Sequence, residues 1–241
     1  MIEDSPAYRP TEASDAEPPK APLTRPNLKT PRAAAIAGIV FSLLLIASLG
    51  LLRLSLPRDP LEISAWMEKD AARVTLALNL VPFAGIAFMW FLGVLRDRLG
   101  ATEDKFFATV FLGSGLMFLG MLFVAASAIG GLVQTYSAAP NVPFDAFTLN
   151  FGRNFAYDIM HIYAFKMAAV FMITTSTLSI YTRVTPRWIA VLGYLSAAVI
   201  LLGSGFVDWL LFVFPCWVLV VSLHVLSENL RKTPQAAGEH G

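Results

Sequence analysis

Residues 106–133 read FFATVFLGSGLMFLGMLFVAASAIGGLV, and no side chain in these twenty-eight residues is charged. As an α-helix this run is about 42 Å long at ~1.5 Å per residue, more than the hydrocarbon thickness of a bilayer, about 30 Å. Its apolar residues are continuous rather than alternating, and they run far past the roughly ten residues of a barrel strand. The stretch therefore predicts a transmembrane helix.

Five further runs have the same character. Four contain no charge, and one is apolar apart from a few ionisable residues. These runs are Ala33–Leu52, Val74–Leu95, Trp188–Val207, Trp209–Ser227 and Phe155–Thr182. The composition agrees, because 56% of the chain is hydrophobic and 15% is charged, against roughly a quarter charged in an ordinary soluble domain. We predict an all-α fold, a polytopic transmembrane bundle of six helices.

The two ends of the chain differ from this apolar middle. Residues 1–32 hold seven of the fifteen prolines and five acidic residues, and such a composition cannot bury enough surface to offset the entropy of ordering. We therefore predict three parts: a disordered Pro-rich cytoplasmic tail at 1–32, a six-helix transmembrane domain at 33–230 and a polar cytoplasmic tail at 231–241.

The orientation follows from the basic residues, which favour the cytoplasmic side of a membrane. With the N-terminus inside, and counting from Arg25 onward, the inner segments hold ten of them and the outer segments hold five. The outer five are Arg53, Arg58, Lys69, Arg73 and Arg153. We predict a multi-pass protein of the cell membrane with both termini in the cytoplasm.

Two outer segments are long enough to contain structure of their own. In Asp59-Pro60-Leu61-Glu62 an N-cap acid, a proline at the first helical position and a glutamate at N3 indicate a helix start. A short outer interfacial helix that displays Leu61, Ile63 and Trp66 is expected there. The segment Gln134–Asn154 contains two prolines and few charges, and we expect it to be irregular.

Several functions are disfavoured by what the sequence lacks. Eighteen basic residues nearly balance seventeen acidic ones, so we expect no nucleic-acid partner. The single Cys216 cannot form a CxxC site, and the predicted depths of His161 and His224 do not match a shared haem. No Walker, GxSxG or HExxH motif is present. We predict no cofactor, no metal site and no catalytic residue, and consider an enzyme the less favoured class.

The most informative cluster lies on the outer half of the fourth span. Arg153, Asp158, His161 and Lys166 occur there within fourteen residues, and ionisable residues inside a span usually face a bundle interior or an aqueous cavity. At 100° per residue, His161 lies 60° from Asp158 on one side and Lys166 lies 80° from it on the other. The three residues are thus predicted to border one broad polar face.

This face has two interpretations. In the functional one, Lys166 and His161 line an outward-facing vestibule that binds a small anion or relays protons, and Asn79, in an Asn-x-x-Pro pattern on the second span, lines the same cavity. In the structural one, Lys166 extends outward to Asp158 and a hydrogen-bonded ion pair holds the helices together, while the Asn79 amide bonds between helices beside a tolerated kink.

Small residues recur along the third span. The pairs Ala126-x-x-x-Gly130 and Ser127-x-x-x-Gly131 let helix backbones approach closely. They predict packing within the bundle or, less favoured, a homo-oligomer face.

Three segments resemble a recurring bacterial family of small six-helix integral membrane proteins without assigned function. They are Gly93–Gly100 with Glu103–Phe111, Thr185–Tyr194, and Phe214–Leu219. The resemblance would extend from about Ala33 to Leu230. It implies a multi-helix fold in a bacterial inner membrane, and it implies no catalytic residue.

Two functions from different classes remain. The first is binding or transport of a small solute or ion through the polar vestibule, with Lys166, His161, Asp158, Arg153 and Asn79 as the ligand-binding residues. The second is an accessory or scaffold subunit whose helices present packing surfaces to other membrane proteins. For both functions we expect the protein to contact the lipid bilayer.

Overall fold

The computed structural model describes residues 30–55, 63–99, 105–138, 146–182, 185–203 and 207–232. These residues are helical apart from short connections, and no strand occurs among them. Seven α-helices, one π-helical segment and one 3₁₀ segment follow one another along the chain. They are α1 (Thr30–Ser55), α2 (Ile63–Leu99), α3 (Lys105–Ala138), α4 (Ala146–Asp158), the π segment (Ile159–Ala164), α5 (Phe165–Thr182), α6 (Arg187–Gly203), the 3₁₀ segment (Asp208–Phe212) and α7 (Val213–Lys232).

The helices form six apolar spans. Five of them are long and apolar enough to cross a membrane, and α4, the π segment and α5 join into one of these five, Phe147–Thr182. The sixth, α6, has 17 residues, which lies at the lower limit for spanning a bilayer. The predicted all-α bundle is therefore confirmed, and the chain has the architecture of a multi-pass membrane protein. Its orientation stays a prediction.

The predicted tails lie largely outside the described residues, which exclude 1–29 and 233–241. Helix α1 already begins at Thr30, and α7 continues to Lys232. The division into three parts stays a prediction. Pro31 fits the first turn of α1, where a missing backbone N–H has no helical partner to lose.

The separate interfacial helix expected near Trp66 is not seen. Residues from Ile63 onward form the first turns of α2, a continuous helix of 37 residues, and Asp59–Glu62 lie outside the described residues. The continuity has a simple cause, because no glycine or proline interrupts the sequence before Pro82. At ~1.5 Å per residue α2 is about 55 Å long, so its first turns project beyond the hydrocarbon region.

The segment Gln134–Asn154 is more helical than predicted. Helix α3 continues to Ala138 and α4 begins at Ala146. Residues 134–138 contain neither proline nor glycine, so nothing in them stops the helix. Pro140 and Pro143, which motivated the prediction, fall in the stretch 139–145 outside the described residues.

The helices pack in a ring. Helix α1 contacts α2 and α7, α3 contacts α2 and α5, and α6 packs mainly on α5. Six phenylalanines from five of these helices fill the centre, and each is at most 1% exposed. We call this group the phenylalanine cluster. It consists of Phe41, Phe88, Phe118, Phe165, Phe171 and Phe214.

Tilted and edge-to-face ring contacts hold the phenylalanine cluster together. The ring centroids of Phe41 and Phe88 are 4.7 Å apart, and those of Phe118 and Phe214 are 4.8 Å apart. Such pairs add about 0.5–1.5 kcal/mol each beyond the area they bury. The centre of the bundle is thus a closely packed aromatic core with no continuous polar path through it.

Gly193 permits a close approach of three helices. A Cβ atom added to Gly193 of α6 would collide with the Ser176 hydroxyl of α5 and would lie 3.0 Å from the indole nitrogen of Trp217 in α7. Three helices therefore meet at this glycine. Only a residue without a side chain allows them to come so near.

The small residues of α3 divide between two environments. Gly130 faces Leu78 of α2, whose Cδ1 lies 3.7 Å from a Cβ built on the glycine, whereas Gly131 faces open space. Ser127 is exposed. The pair Ala126-x-x-x-Gly130 thus packs within the bundle, and the pair Ser127-x-x-x-Gly131 lies on its outer surface.

Candidate functional site: a cavity with two arginines at its mouth

A cavity of about 670 Å³ lies among α1, α2, α3, α4, the π segment and the 3₁₀ segment. Most of its wall is apolar. The apolar lining residues are Leu45, Leu49, Leu52, Leu78, Val81, Leu122, Ala125, Ala126, Ile129, Ala156, Met160, Leu211 and Phe212. This size is within the range of ligand pockets, roughly 300–1,000 Å³.

Two arginines lie at one end of this cavity. Arg53 is near the C-terminal end of α1, and Arg153 is in the middle of α4. Because α1 and α4 run in opposite directions, these two positions belong to the same end of the bundle. None of the described lining residues is acidic, and the two guanidinium groups are the charged groups among them.

The apolar part of the cavity extends inward from the arginines. Leu45 precedes Arg53 by eight residues, which corresponds to a rise of roughly 12 Å along α1. His161 follows Arg153 by eight residues and gives a similar depth. The cavity is thus elongated along the helices, with its cationic groups at the mouth.

Trp209 of the 3₁₀ segment also lines the mouth. The guanidinium carbon of Arg53 lies 4.3 Å from the centroid of the Trp209 ring. An arginine over an indole face is attracted by the ring quadrupole. The contact orients Arg53 and ties the end of α1 to the segment that leads into α7.

Little hydrogen-bonding capacity is available in the wall. Ser48 lines the cavity, but its hydroxyl donates to the carbonyl of Ala77 at 2.8 Å. The polar atoms that a ligand could meet therefore belong mainly to the arginines, to Asn154 and Tyr157 beside them, and to His161 at the inner end.

His161 lies in the π segment and is buried, with 6% of its surface exposed. Its Nδ1 donates to the carbonyl of Tyr157 at 3.1 Å, since a carbonyl oxygen can only accept. The Tyr157 ring stacks on the imidazole with centroids 3.8 Å apart. The π geometry is marked by the N–H of Phe165, which bonds to the carbonyl of Met160 five residues earlier, and such turns are frequent at functional sites.

The phenylalanine cluster lies about one helical turn beyond the innermost lining residues of the cavity. Phe41 lies one helical turn below Leu45 on α1, and Phe165 lies one turn below His161. Phe118 stands in the same relation to Leu122 on α3. Beyond the cluster, buried hydroxyls such as those of Ser42, Thr174 and Thr175 donate to carbonyls of their own helices. Among the described residues, the lining of the cavity does not continue past this level.

The structure brings together some of the predicted site residues but not all. Arg153 and His161 line the cavity. Asp158 is exposed, Lys166 is half-buried and Asn79 is exposed on α2, and none of these three lines it. Whether any of the five binds a ligand stays a prediction.

The predicted ion pair between Asp158 and Lys166 does not form. Neither side chain makes a hydrogen bond or ion pair with any described residue. The π segment takes one extra residue per turn, so positions beyond it are turned back by about 100° relative to a regular helix. Lys166 therefore lies about 20° from Asp158 around the helix instead of 80°, but it is half-buried whereas Asp158 is exposed. Eight residues separate the two, which is twice the spacing at which helical side chains meet.

Arg53 was not among the predicted site residues. Its position at the end of a span is typical of an arginine that reaches the headgroups, and nothing in the sequence near it points to a cavity. It joins the site only because α1 packs beside the 3₁₀ segment, a tertiary contact between residues 156 positions apart. The same is true of Trp209.

The ionisable residues at the other end of the bundle are separate from this cavity. His224 of α7 lies 3.6 Å from the carboxylate of Glu228 and makes an edge-to-face contact with Trp188. In the part of the chain that the structure describes, no three His, Cys, Asp or Glu side chains converge as metal ligands would.

The chain matches no family model, no curated protein sequence and no solved structure. The resemblance of its three segments to a bacterial membrane family accordingly stays a prediction. The function of the cavity has to be inferred from its geometry.

Proposed function

We propose that the protein binds a small anionic ligand in this cavity and serves as a membrane-embedded binding protein or permease. The observation that carries the proposal is the meeting of Arg53, Arg153 and His161 on one cavity whose described lining contains no carboxylate. Arginine presents a planar fork of donors that matches carboxylate and phosphate groups. A cationic mouth on an apolar cavity suits such a ligand.

The cost of placing charge there supports the same conclusion. Ionisable side chains are expensive within a membrane and persist mainly where they meet partners or serve a function. Arg153 makes no hydrogen bond or ion pair with any described residue. An anion bound in the cavity would supply a partner for Arg153.

Binding and transport make different demands on the fold. Binding requires only the cavity as it stands. Transport requires the phenylalanine cluster to open, because Phe41, Phe118 and Phe214 seal the path beyond the cavity. We therefore propose binding as the primary activity and transport as a consequence of a second conformation.

The test is a ligand-dependent thermal shift of the purified protein in neutral-lipid nanodiscs. Carboxylates and phosphates with short and long chains are compared on the wild type, Arg153→Gln and Lys166→Gln. We expect at least one anion to stabilise the wild type, with the effect lost in Arg153→Gln and kept in Lys166→Gln. If no anion stabilises the wild type, or if Arg153→Gln responds equally, the proposal fails.

A scaffold role is the second candidate, and one observation favours it. Three glycines on the outer face of α3 have open space where a side chain would be: Gly113, Gly120 and Gly131. Two large apolar side chains on the same face, Leu116 and Met117, are exposed. Such a face permits close helix contact in a membrane. Stable co-purification of a second membrane protein that is lost on Gly120→Leu would favour this role.

A further inference from the structure

We infer that the ligand is an amphiphile, with one anionic head and a single hydrocarbon chain of medium length, whose head lies at the arginines and whose chain fills the apolar part of the cavity. The inference rests on the proposed function, since it names the class of the same anionic ligand. It adds the requirement that the ligand has a hydrocarbon chain, which a small polar anion lacks.

The first support is the distribution of polarity along the cavity. Its charged groups, Arg53 and Arg153, are confined to one end, and the wall from Leu52 down to Leu45 on α1 is formed by leucines, with the Ser48 hydroxyl already bonded to Ala77. A small hydrophilic anion would leave this wall without a partner. A hydrocarbon chain would cover it and gain the free energy of apolar burial.

The second support is the length of the apolar part. The rise from the level of Arg53 to that of Leu45 is roughly 12 Å, and the phenylalanine cluster begins one helical turn beyond Leu45, at Phe41. The floor is itself apolar, because Phe41 and Phe118 are fully buried beneath it. A straight chain that enters with its tail first therefore ends among apolar side chains, and the buried His161 imidazole is the polar group at that depth.

The third support is the chemistry of the mouth. Trp209 is 63% exposed while its ring holds the guanidinium of Arg53. Tryptophan and arginine together are typical of the depth at which lipid headgroups meet hydrocarbon. An amphiphile whose head stays at that depth and whose chain points inward keeps both parts in the surroundings they prefer.

Two sources could deliver this chemistry, a single-chain acid from the water phase or an anionic lipid of the bilayer that inserts one chain. The experiment separates them. Full-length protein in phosphatidylcholine nanodiscs is titrated with radiolabelled decanoate, with empty discs as the blank. Acetate, decanol and decyl phosphate are the competitors, and a parallel set of discs contains phosphatidylglycerol.

We expect decanoate to bind at least about a hundredfold more tightly than acetate, since each buried methylene adds to affinity. Decyl phosphate should compete and decanol should compete poorly. Arg153→Gln should weaken binding about tenfold or more, whereas Arg187→Gln, on an exposed residue at the start of α6, should not. Competition by phosphatidylglycerol identifies a bilayer lipid as the source, and its absence identifies a free acid.

A second pair of variants tests the chain-binding part. Ala126→Leu places extra volume in the cavity wall and should weaken decanoate more than acetate. Ala198→Leu, on the exposed face of α6, is the matched control and should change neither. The competition series on the wild type decides the question even if a variant does not fold.

The failures are distinguishable. If acetate binds as tightly as decanoate and both need Arg153, the amphiphile inference is wrong and the proposed anion-binding function stands. If decanol competes as well as decanoate and Arg153→Gln binds normally, the head is not recognised and both are wrong. If no probe binds to the wild type above the blank, both are wrong as well.

Discussion

Arg53 lies over the ring of Trp209, with 4.3 Å between its guanidinium carbon and the ring centroid, although 156 residues separate the two along the chain. The contact joins the first span to the last at the mouth of the cavity. It therefore contributes both to the closure of the helix ring and to the position of one cationic group of the proposed site.

Replacement of Trp209 by leucine should loosen this mouth. Loss of the cation–π contact is expected to lower the free energy of unfolding by about 0.5–1 kcal/mol and to weaken anion binding. Trp90→Leu is the matched control, because Trp90 is 68% exposed on α2 and contributes nothing to the cavity. Unfolding in nanodiscs measures both variants, and equal losses would show that the Arg53 contact adds no stability.

The phenylalanine cluster should carry much of the stability of the bundle. Phe88 contacts Phe41, Phe118 and Phe214 in the core, so Phe88→Ala is expected to cost about 3–5 kcal/mol. Phe83→Ala, on an exposed residue of the same helix, should cost less than about 0.5 kcal/mol. Thermal denaturation of the two variants is the measurement, and similar midpoints would contradict a central role for the cluster.

Asp158 and Lys166 should behave as independent residues. Because they form no ion pair, the stability changes of Asp158→Asn and Lys166→Met are expected to add within about 0.5 kcal/mol in the double variant. A double-mutant cycle in mild detergent measures this sum. A coupling of several kcal/mol would restore the buried pair that the sequence suggested.

Gly193 should tolerate no side chain. Gly193→Ala brings a methyl group against the Ser176 hydroxyl and the Trp217 indole, and such overpacking is expected to cost about 1–3 kcal/mol. Gly113→Ala, which meets nothing within 4 Å, should be neutral or stabilising by up to about 1 kcal/mol, since alanine is the better helix former. Opposite signs for the two changes in one unfolding assay would confirm the close approach.

The orientation can be tested with single cysteines in a Cys216→Ala background. Ser137, exposed at the end of α3, is predicted to face outward, and Gly238 is predicted to lie in the cytoplasm. In intact cells an impermeant maleimide should label Ser137→Cys and not Gly238→Cys. The reverse pattern would invert the topology and place the cavity on the cytoplasmic side.

Much of the fold could be read from uncharged runs, because hydrocarbon tolerates few charges and a continuous apolar stretch has few alternatives to a helix. The residues at which the helices begin and end were harder to predict from the sequence. Hydropathy locates the part of α2 inside the bilayer, but nothing in it reports that the helix begins at Ile63. Near the start of the described part of α2, Arg73 forms an ion pair with Asp70, 2.9 Å apart.

The site was only partly predictable for a different reason. Arg153 and His161 could be predicted because ionisable residues are rare within an apolar span. The positions of Lys166 and Asn79 depended on regular helical geometry and on which face of a helix packs inward, and Arg53 depended on a neighbour at the far end of the chain. Single-span patterns contain no information on such tertiary contacts.

The π segment has a further consequence, which concerns insertions and deletions. It accommodates one residue more than an α-helix of the same length, so removal of one residue between Ile159 and Ala164 can convert it to a regular helix while α4 and α5 keep their faces. Arg153 would still point to the cavity and Phe171 to the core. The same deletion in the middle of α3, which contains no such segment, would turn half of that helix by about 100° and bring its exposed face into the bundle. Among the described spans, the one that carries Arg153 and His161 is thus the one able to change length without losing its register.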